Sequence, residues 1–346
     1  MTEKIRIAIV GAGSLRGKEL NEVLPGSAFS AAEIVLIGDD SQAGQIEASG
    51  DEATFIQSIN RNSFEHIDFA FFVGAQEVTK KHWHDVLRAG ASIVDLSYVL
   101  EGQPGVLVRA PWLAGPTAAA PQGEDLNLST LAVVPAHPVA LALGLIMSHL
   151  EELGHVRAAS ATVLEAASEY GREAINELHQ QTVSLLNFQS LPKEVYEEQV
   201  AFNVVPSFGD SKALGQSEAR IRRHYALIRS GRIADVGIQL LHAPVFHGAG
   251  LSLAFEFDEA VSHEQVETAL SSEHIEVVPA DVDPPNNLSS AGQSEVMVCV
   301  RTEDGTDQPA KRFWIWASFD NLRIASLNAV ACANELRRLR PKGKVQ

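Results

Sequence analysis

Residues 5–24 read Ile5-Arg6-Ile7-Ala8-Ile9-Val10-Gly11-Ala12-Gly13-Ser14-Leu15-Arg16-Gly17-Lys18-Glu19-Leu20-Asn21-Glu22-Val23-Leu24. A β-branched apolar run stops at a glycine, two more glycines follow closely, and apolar residues then recur at helical spacing from Lys18 to Leu24. That order is strand, tight turn, helix. A diphosphate can approach only where side chains are absent, and the N–H groups and positive dipole end of the following helix favour its charge. The spacing is G-x-G-x-x-x-G rather than the strict dinucleotide fingerprint. A turn with glycines for packing alone would look the same. The setting between strand and helix favours nucleotide binding, with Gly11, Gly13, Ser14, Leu15, Arg16 and Gly17 as the cradle. Asp39 ends the next strand, Glu33–Gly38, at about the distance where an acid meets an adenosine ribose. An acid there favours NAD and repels the extra phosphate of NADP; the other reading of Asp39 is a solvated loop acid beside Asp40.

Strand signals follow at Phe69–Val73, Ser92–Asp95, Gly105–Arg109 and Leu131–Pro135, with helical spacing at Val78–Ala89 and Val139–Leu150. Alternating strands and helices imply a doubly wound parallel sheet. Pro116–Asp125 is a polar, proline-containing loop. After Glu151 the character changes. Ala158–Ala166, Val236–Val245, Leu251–Phe257, Glu295–Arg301 and Arg312–Ser318 read as strands with few helices between them. Ser168–Phe188, Arg220–Arg229 and Asn328–Leu339 read as helices. The expected fold class is α/β. A Rossmann-like dinucleotide-binding domain spans 1–133 and is completed by a C-terminal helix, 326–346. An α+β dimerisation domain with a mixed sheet spans 134–325.

The chain has 346 residues, 45% apolar and 21% charged, enough for two ordinary cores. Its 44 acidic against 27 basic residues give a net charge of −17. Such a surface repels phosphate backbones and anionic membranes, so neither nucleic acid nor membrane is an expected partner. Two cysteines make no disulfide framework and no zinc spacing, and no metal is expected. With no signal-peptide pattern at the N-terminus, the expected location is cytoplasmic.

Several motifs, in order along nearly the whole chain, resemble the aspartate-semialdehyde dehydrogenase family. IAIVGAGSLRG at Ile7–Gly17 is similar to the family's VGATGAVG opening. Gly171–Leu178, preceded by Ser168, resembles the SGAGxxGIxEL helix that starts the dimerisation domain. Phe202–Pro206 resembles FNxIP, Pro244–Gly248 resembles PVFxGH, and Phe319–Val330 resembles GDNLRKGAAxNAV, which adds Asn321 to the cofactor residues. The resemblance implies a homodimer and a covalent hydride transfer. In it a Cys thiolate attacks an aldehyde, a Gln positions the thiol and a His moves protons. NADP takes the hydride, phosphate cleaves the thioester, and arginines hold the anionic groups.

The chain departs from that pattern at nearly every role. The family's NPNCST falls on Val134-Pro135-Ala136-His137-Pro138-Val139, so the Cys position holds His137 or Pro138. The Gln position holds Glu165 and the catalytic His position holds Ala249. Among substrate-pocket candidates, Glu101 and His242 stand where the family has arginines, and Arg220 lies near the family's phosphate-binding Lys. Ser41 stands where the family's Arg grips NADP, which again favours NAD. His247 adjoins the lost His but is expected to face the other way on a strand. Cys299 and Cys332 are expected to pack as small core hydrophobes. His82 and His84 flank Trp83 on a helix expected to be exposed, too divergent for a metal. Losing one member of such a catalytic set costs on the order of 10⁴–10⁶ in rate. The expected protein keeps the dinucleotide and dimer scaffold and lacks semialdehyde oxidation. The alternatives are an NAD(P)-linked oxidoreductase of altered mechanism, with His137, Glu165, Glu101 and His242 converging, and a still-active dehydrogenase with an unrecognised nucleophile.

Overall fold

The computed structural model describes residues 4–39, 42–49, 52–113, 126–207, 212–229, 233–303, 305 and 308–340. Asp40, Ser41, the Pro116–Asp125 loop and residues 341–346 lie outside them. The chain divides into two units, residues 1–136 with 325–346, and residues 137–324.

The first unit contains β1 (Arg6–Val10), α1 (Leu15–Val23), β2 (Glu33–Gly38), β3 (Ile46–Ser49), β4 (Glu52–Phe55), β5 (Gln57–Ser58), β6 (Phe69–Phe72), α2 (Gln76–Arg88), β7 (Ser92–Asp95), β8 (Val106–Arg109) and β9 (Ala132–Pro135). Seven strands form one sheet in the order β5-β2-β1-β6-β7-β9-β8, and every pair is parallel. All four residues of β6, β7 and β9 are buried, as a parallel sheet covered on both faces requires. Successive side chains go to opposite faces. Ile7, Ile9, Phe69 and Phe71 meet Leu20 and Val23 of α1 and the C-terminal Ala329, Ala333 and Leu336. Ala8, Val10, Ala70 and Phe72 meet Val86 of α2. The β3–β4 hairpin stands apart as a two-stranded ladder and has no counterpart in the sequence reading.

The second unit contains α3 (Pro138–Leu153), β10 (Val156–Glu165), α4 (Arg172–Leu186), β11 (Val205–Pro206), α5 (Lys212–Ile228), β12 (Gly237–His242), β13 (Ala249–Val261), α6 (His263–Leu270), β14 (Ile275–Val277), β15 (Val296–Thr302) and β16 (Ala310–Phe319). Its seven strands run β11-β12-β10-β13-β16-β15-β14. The β10–β12 and β14–β15 pairs are parallel and the others antiparallel, a mixed sheet. Leu251, Leu253, Phe255, Phe313, Ile315, Val296 and Val298 bury one face. Leu164, Leu241, Met297, Cys299 and Trp316 are half-buried on the other strand positions.

Several boundaries move from the sequence reading. The last helix, α7 (Asn321–Leu339), begins well before Asn328, because Asp320 caps it: Oδ1 accepts the N–H groups of Leu322 at 3.1 Å and Arg323 at 3.0 Å. The single helix expected over Ser168–Phe188 is broken. A 3₁₀ turn, Ala167–Tyr170, ends at Gly171 with φ +90° before α4 starts. The helix expected at Arg220 begins at Lys212, and α6 was not expected at all. His82 is buried rather than solvated, with Nδ1 3.0 Å from Asp85 Oδ2. Cys332 is fully buried, but Cys299 is only half-buried, because odd positions of β15 face away from the sealed side of the sheet.

A second feature of α4 is polar. Glu177 and Gln181 are buried one turn apart and hold the irregular segment that follows. Glu177 Oε2 accepts the N–H groups of Glu194 at 2.8 Å and Val195 at 2.7 Å, and Oε1 accepts that of Tyr196 at 3.2 Å. Gln181 Oε1 accepts from Val200 and Ala201, while Nε2 donates to the carbonyls of Pro192 and Glu198. Backbone groups that no strand or helix pairs are thereby satisfied. Among the described residues no helix is long and apolar enough to cross a membrane, and no His, Cys, Asp or Glu group is arranged to hold a metal ion.

Candidate functional site

In the first unit the glycine turn closes over the C-terminal ends of β1 and β6. Gly11 has φ +94°, and a Cβ there would lie 2.4 Å from Gly74 Cα. A Cβ on Gly17 would lie 2.5 Å from the Gly11 carbonyl oxygen, so α1 can pack this closely only with glycine at its start. Ser14 caps α1: its Oγ accepts the Gly17 N–H and donates to the Val73 carbonyl, both at 3.0 Å. The Arg16 guanidinium lies 5.4 Å from the centre of the Tyr98 ring and donates to the Leu96 carbonyl. Leu15 is half-buried at the first position of α1. Asp39 is exposed at the end of β2 and its Oδ1 accepts the Gln42 N–H at 3.1 Å. Glu101 is half-buried after β7. Burial pushes the Asp95 carboxyl up and the Glu101 charge adds to that, against hydrogen bonds from Ser97 and Leu100.

In the second unit a buried polar cluster gathers at the ends of β10 and β12. His137 is the N-cap of α3, followed by Pro138 at its first turn. Its Nδ1 accepts the Val139 N–H at 3.3 Å, and its own N–H donates to His224 Nδ1 at 2.9 Å. His137 Nε2 lies 3.2 Å from Glu169 Oε1 and 3.8 Å from Glu165 Oε1 without completing a hydrogen bond. Ser217 Oγ donates to Glu165 Oε1 at 2.8 Å, and the Tyr170 hydroxyl donates to Oε2. Asn321 Nδ2 donates to Glu169 Oε2 at 3.0 Å, while Asn321 Oδ1 accepts from Ser168 Oγ at 3.0 Å and the Gly248 N–H at 3.2 Å. Every carboxylate oxygen of Glu165 and Glu169 thus faces a protein donor or the imidazole.

His242 is paired with Glu165 in the β10–β12 register and is completely buried between the rings of Tyr196 and Tyr170, at 4.7 and 5.9 Å. Burial pushes its pKa down to about 4, so it is neutral at physiological pH. Ala249 opens β13 as a buried methyl group. Arg220 is half-buried on α5. His247 lies in the bend before β13, not on a strand, and its Nε2 is 2.9 Å from Asp320 Oδ2. Burial works to raise the Asp320 carboxyl, but hydrogen bonds from His247, Arg323 and Gly292 outweigh it and hold it low. His137, Glu165 and His242 are therefore brought into one cluster, whereas Glu101 belongs to the first unit. The sequence reading missed Glu169, Tyr170, Ser217 and His224 as members of the cluster. Ser217 and His224 are remote along the chain from Glu165 and His137, and no local pattern marks them.

Burial pushes the Glu165 carboxyl up, Glu169 adds to the rise, and His137, Tyr170 and Ser217 oppose it without cancelling it. A carboxyl whose folded pKa lies above its unfolded value stabilises the fold below the ordinary carboxylate range, and that contribution is lost as pH rises through the raised value. The thermal midpoint should fall as pH rises above the ordinary carboxylate range, and Glu165→Gln should make the fall shallower. Identical slopes in melts of the two proteins would show that Glu165 does not carry it.

Residues 6–120 match the model of the semialdehyde dehydrogenase NAD-binding domain, and residues 148–324 match that of the semialdehyde dehydrogenase dimerisation domain. The chain belongs to the semialdehyde dehydrogenase family. Within it, a "USG-1 protein homolog" of Azotobacter vinelandii is 30% identical, covering 97% of this chain and 98% of that protein. An aspartate-semialdehyde dehydrogenase of Rickettsia bellii is 26% identical over the same shares of the two chains. Among solved structures, a probable aspartate-semialdehyde dehydrogenase from Pseudomonas aeruginosa superposes with a TM-score of 0.79 at 27% identity, over 96% of this chain and 98% of that one. In this semialdehyde dehydrogenase family member the buried cluster leaves His137 Nε2 and both ring nitrogens of His242 without a hydrogen bond among the described residues.

Proposed function

We propose that this chain is a dinucleotide-binding homodimer on the semialdehyde dehydrogenase scaffold that does not carry out covalent semialdehyde oxidation. The observation that carries the reading is the setting of His137. A nucleophile needs a lone pair on an open face. One ring nitrogen of His137 accepts the helix-capping N–H, and the other faces two carboxylates. Pro138 has no nucleophile, and Ala249 cannot move a proton. Of the two thiols, Cys332 is sealed in the core of the first unit and burial pushes it well up, while burial also raises Cys299 on β15.

The glycine turn fits a dinucleotide. Gly11, Gly13 and Gly17 carry no side chain where the turn packs most tightly, Ser14 and Leu15 open α1, and Arg16 places a guanidinium beside the turn. Asp39, exposed at the end of β2, suits a ribose 2′-hydroxyl and opposes a 2′-phosphate, so the reading favours NAD over NADP. Such a cofactor supplies hydride exchange when bound. Asn321 has both ends of its carboxamide engaged by Ser168, Gly248 and Glu169, which suits it to positioning. For the dimer, the half-buried row of Leu164, Leu241, Trp316 and Cys299, with the exposed Phe202 and Val204, offers an apolar face to a second copy. Calorimetric titration should show tighter binding of NADH than NADPH, and sedimentation at micromolar concentration should give a dimer. Failure to bind either nucleotide, or a monomer, removes the corresponding half of the reading.

A second reading has one observation in its favour, the convergence of His137, Glu165 and His242. It would be non-covalent proton or hydride chemistry. The hydrogen bonds that hold both oxygens of Glu165 and the burial of His242 favour the first reading.

A further inference from the structure

We propose that Gln42 is a plug on the dinucleotide's glycine floor: its carboxamide lies against the face of Gly13 that a diphosphate would use, and it swings out when a dinucleotide binds. The inference rests on the dinucleotide reading above. A Cβ built on Gly13 would lie 2.9 Å from Gln42 Cδ, 3.1 Å from Oε1 and 3.2 Å from Nε2. A Cβ on Gly38, at the end of β2, would lie 2.8 Å from the same Oε1 and 2.9 Å from Gln42 Cβ. The amide is therefore laid flat between two glycines, and any side chain at either position would evict it. Close approach at the second glycine of such a turn is what brings the backbone to a pyrophosphate. Gln42 and the nucleotide thus compete for one bare surface.

The plug is held by packing rather than by hydrogen bonds at its tip. Oε1 is buried and has no hydrogen-bond partner, an arrangement that costs stability and is relieved when the amide reaches water. The backbone, by contrast, is tethered: the Gln42 N–H donates to the Asp39 carbonyl and to Asp39 Oδ1, each at 3.1 Å. Release therefore requires rotation of one side chain, with the turn left in place. Asp39, the residue assigned to the ribose, also anchors the plug, so a ribose hydroxyl arriving at Asp39 would disturb the tether as the diphosphate displaces the amide.

The test is titration of the full chain with NADH, followed by fluorescence and by stopped-flow mixing, beside Gln42→Ala and Gln42→Ser. If the open arrangement holds about a tenth to a third of the molecules, removing the plug tightens Kd by about 3- to 10-fold, with the gain in the association rate. Thermal melts show whether each variant is folded, and the serine variant serves if the alanine variant is not. Binding by wild type and variants with equal or weaker variant affinity overturns the plug and leaves the dinucleotide reading standing. Weaker variant affinity would make Gln42 a nucleotide ligand instead. No binding by any of the three ends the dinucleotide reading and the plug together.

Discussion

Supplied with an amino-acid semialdehyde, phosphate and NAD or NADP, the purified protein should turn over at less than about 10⁻⁴ of the rate of a cysteine-dependent relative. Covalent oxidation needs a thiolate at the N-terminus of α3, a neutral group beside it and a proton carrier at the start of β13. The chain offers an imidazole that caps α3 with one nitrogen and faces carboxylates with the other, a buried pair of carboxylates and a methyl group. His137→Cys alone should not restore the reaction. It would place a thiol beside Glu165 and Glu169, whose charge raises a thiol pKa, and it would remove the cap of α3. His137→Cys with Glu165→Gln and Ala249→His is the smallest change that returns the thiol, the neutral group and the proton carrier together. Reduced nucleotide formation at 340 nm and mass spectrometry of a trapped acyl-enzyme would follow the outcome. Turnover at an ordinary rate by the unmodified protein, abolished by Cys299→Ser or Cys332→Ser, would sink the reading. Turnover that survives both substitutions would favour non-covalent chemistry.

Glu177→Ala should be the most destabilising single change away from the cores, at about 3–5 kcal/mol. The carboxylate, on a residue only 4% exposed, accepts three backbone N–H groups from residues 194–196, of which that of Tyr196 is buried, and each loses its partner. An unmade buried hydrogen bond costs about 1–3 kcal/mol, and strain relief recovers part of the sum. Gln181→Ala should act on the same segment through residues 192 and 198–201. The two effects should be less than additive, because one freed loop contains both sets of groups. Denaturant titration measures the loss, and limited proteolysis should cut between residues 190 and 203 in either variant. A loss under about 1 kcal/mol for Glu177→Ala would mean that water replaces the carboxylate without penalty.

Much of the fold was legible because its strands are strongly patterned. Glu33–Gly38 and Ser92–Asp95 were read with the observed bounds, since parallel strands buried over most or all of their length leave short apolar runs between turn residues. The errors cluster where a cap or glycine decides. Asp320 starts α7 through two N–H groups in a stretch that the sequence reading assigned to neither strand nor helix, and Gly171 breaks a helical pattern with a left-handed φ. The site was legible only at motif positions. His137 and Glu165 were found, but nothing in the spacing announced that Ser217, Tyr170 and Asn321 would supply donors to the two carboxylates. Likewise Cys299 and His82 lie on patterns whose facing only the register or an ion pair settles.

The C-terminal helix has a consequence for how the molecule is made. Ile7, Ile9 and Phe69 share a layer with Leu20 and Val23 of α1 that Ala329, Ala333 and Leu336 complete, and Arg109 grips Glu335 through Nε at 3.2 Å and an Nη at 2.9 Å. On the ribosome, the opening sheet must wait with a bare hydrophobic flank until those late residues emerge. The continuous middle stretch 137–324 can mature first, so the glycine turn becomes competent only after the residues of α7 have followed that stretch out.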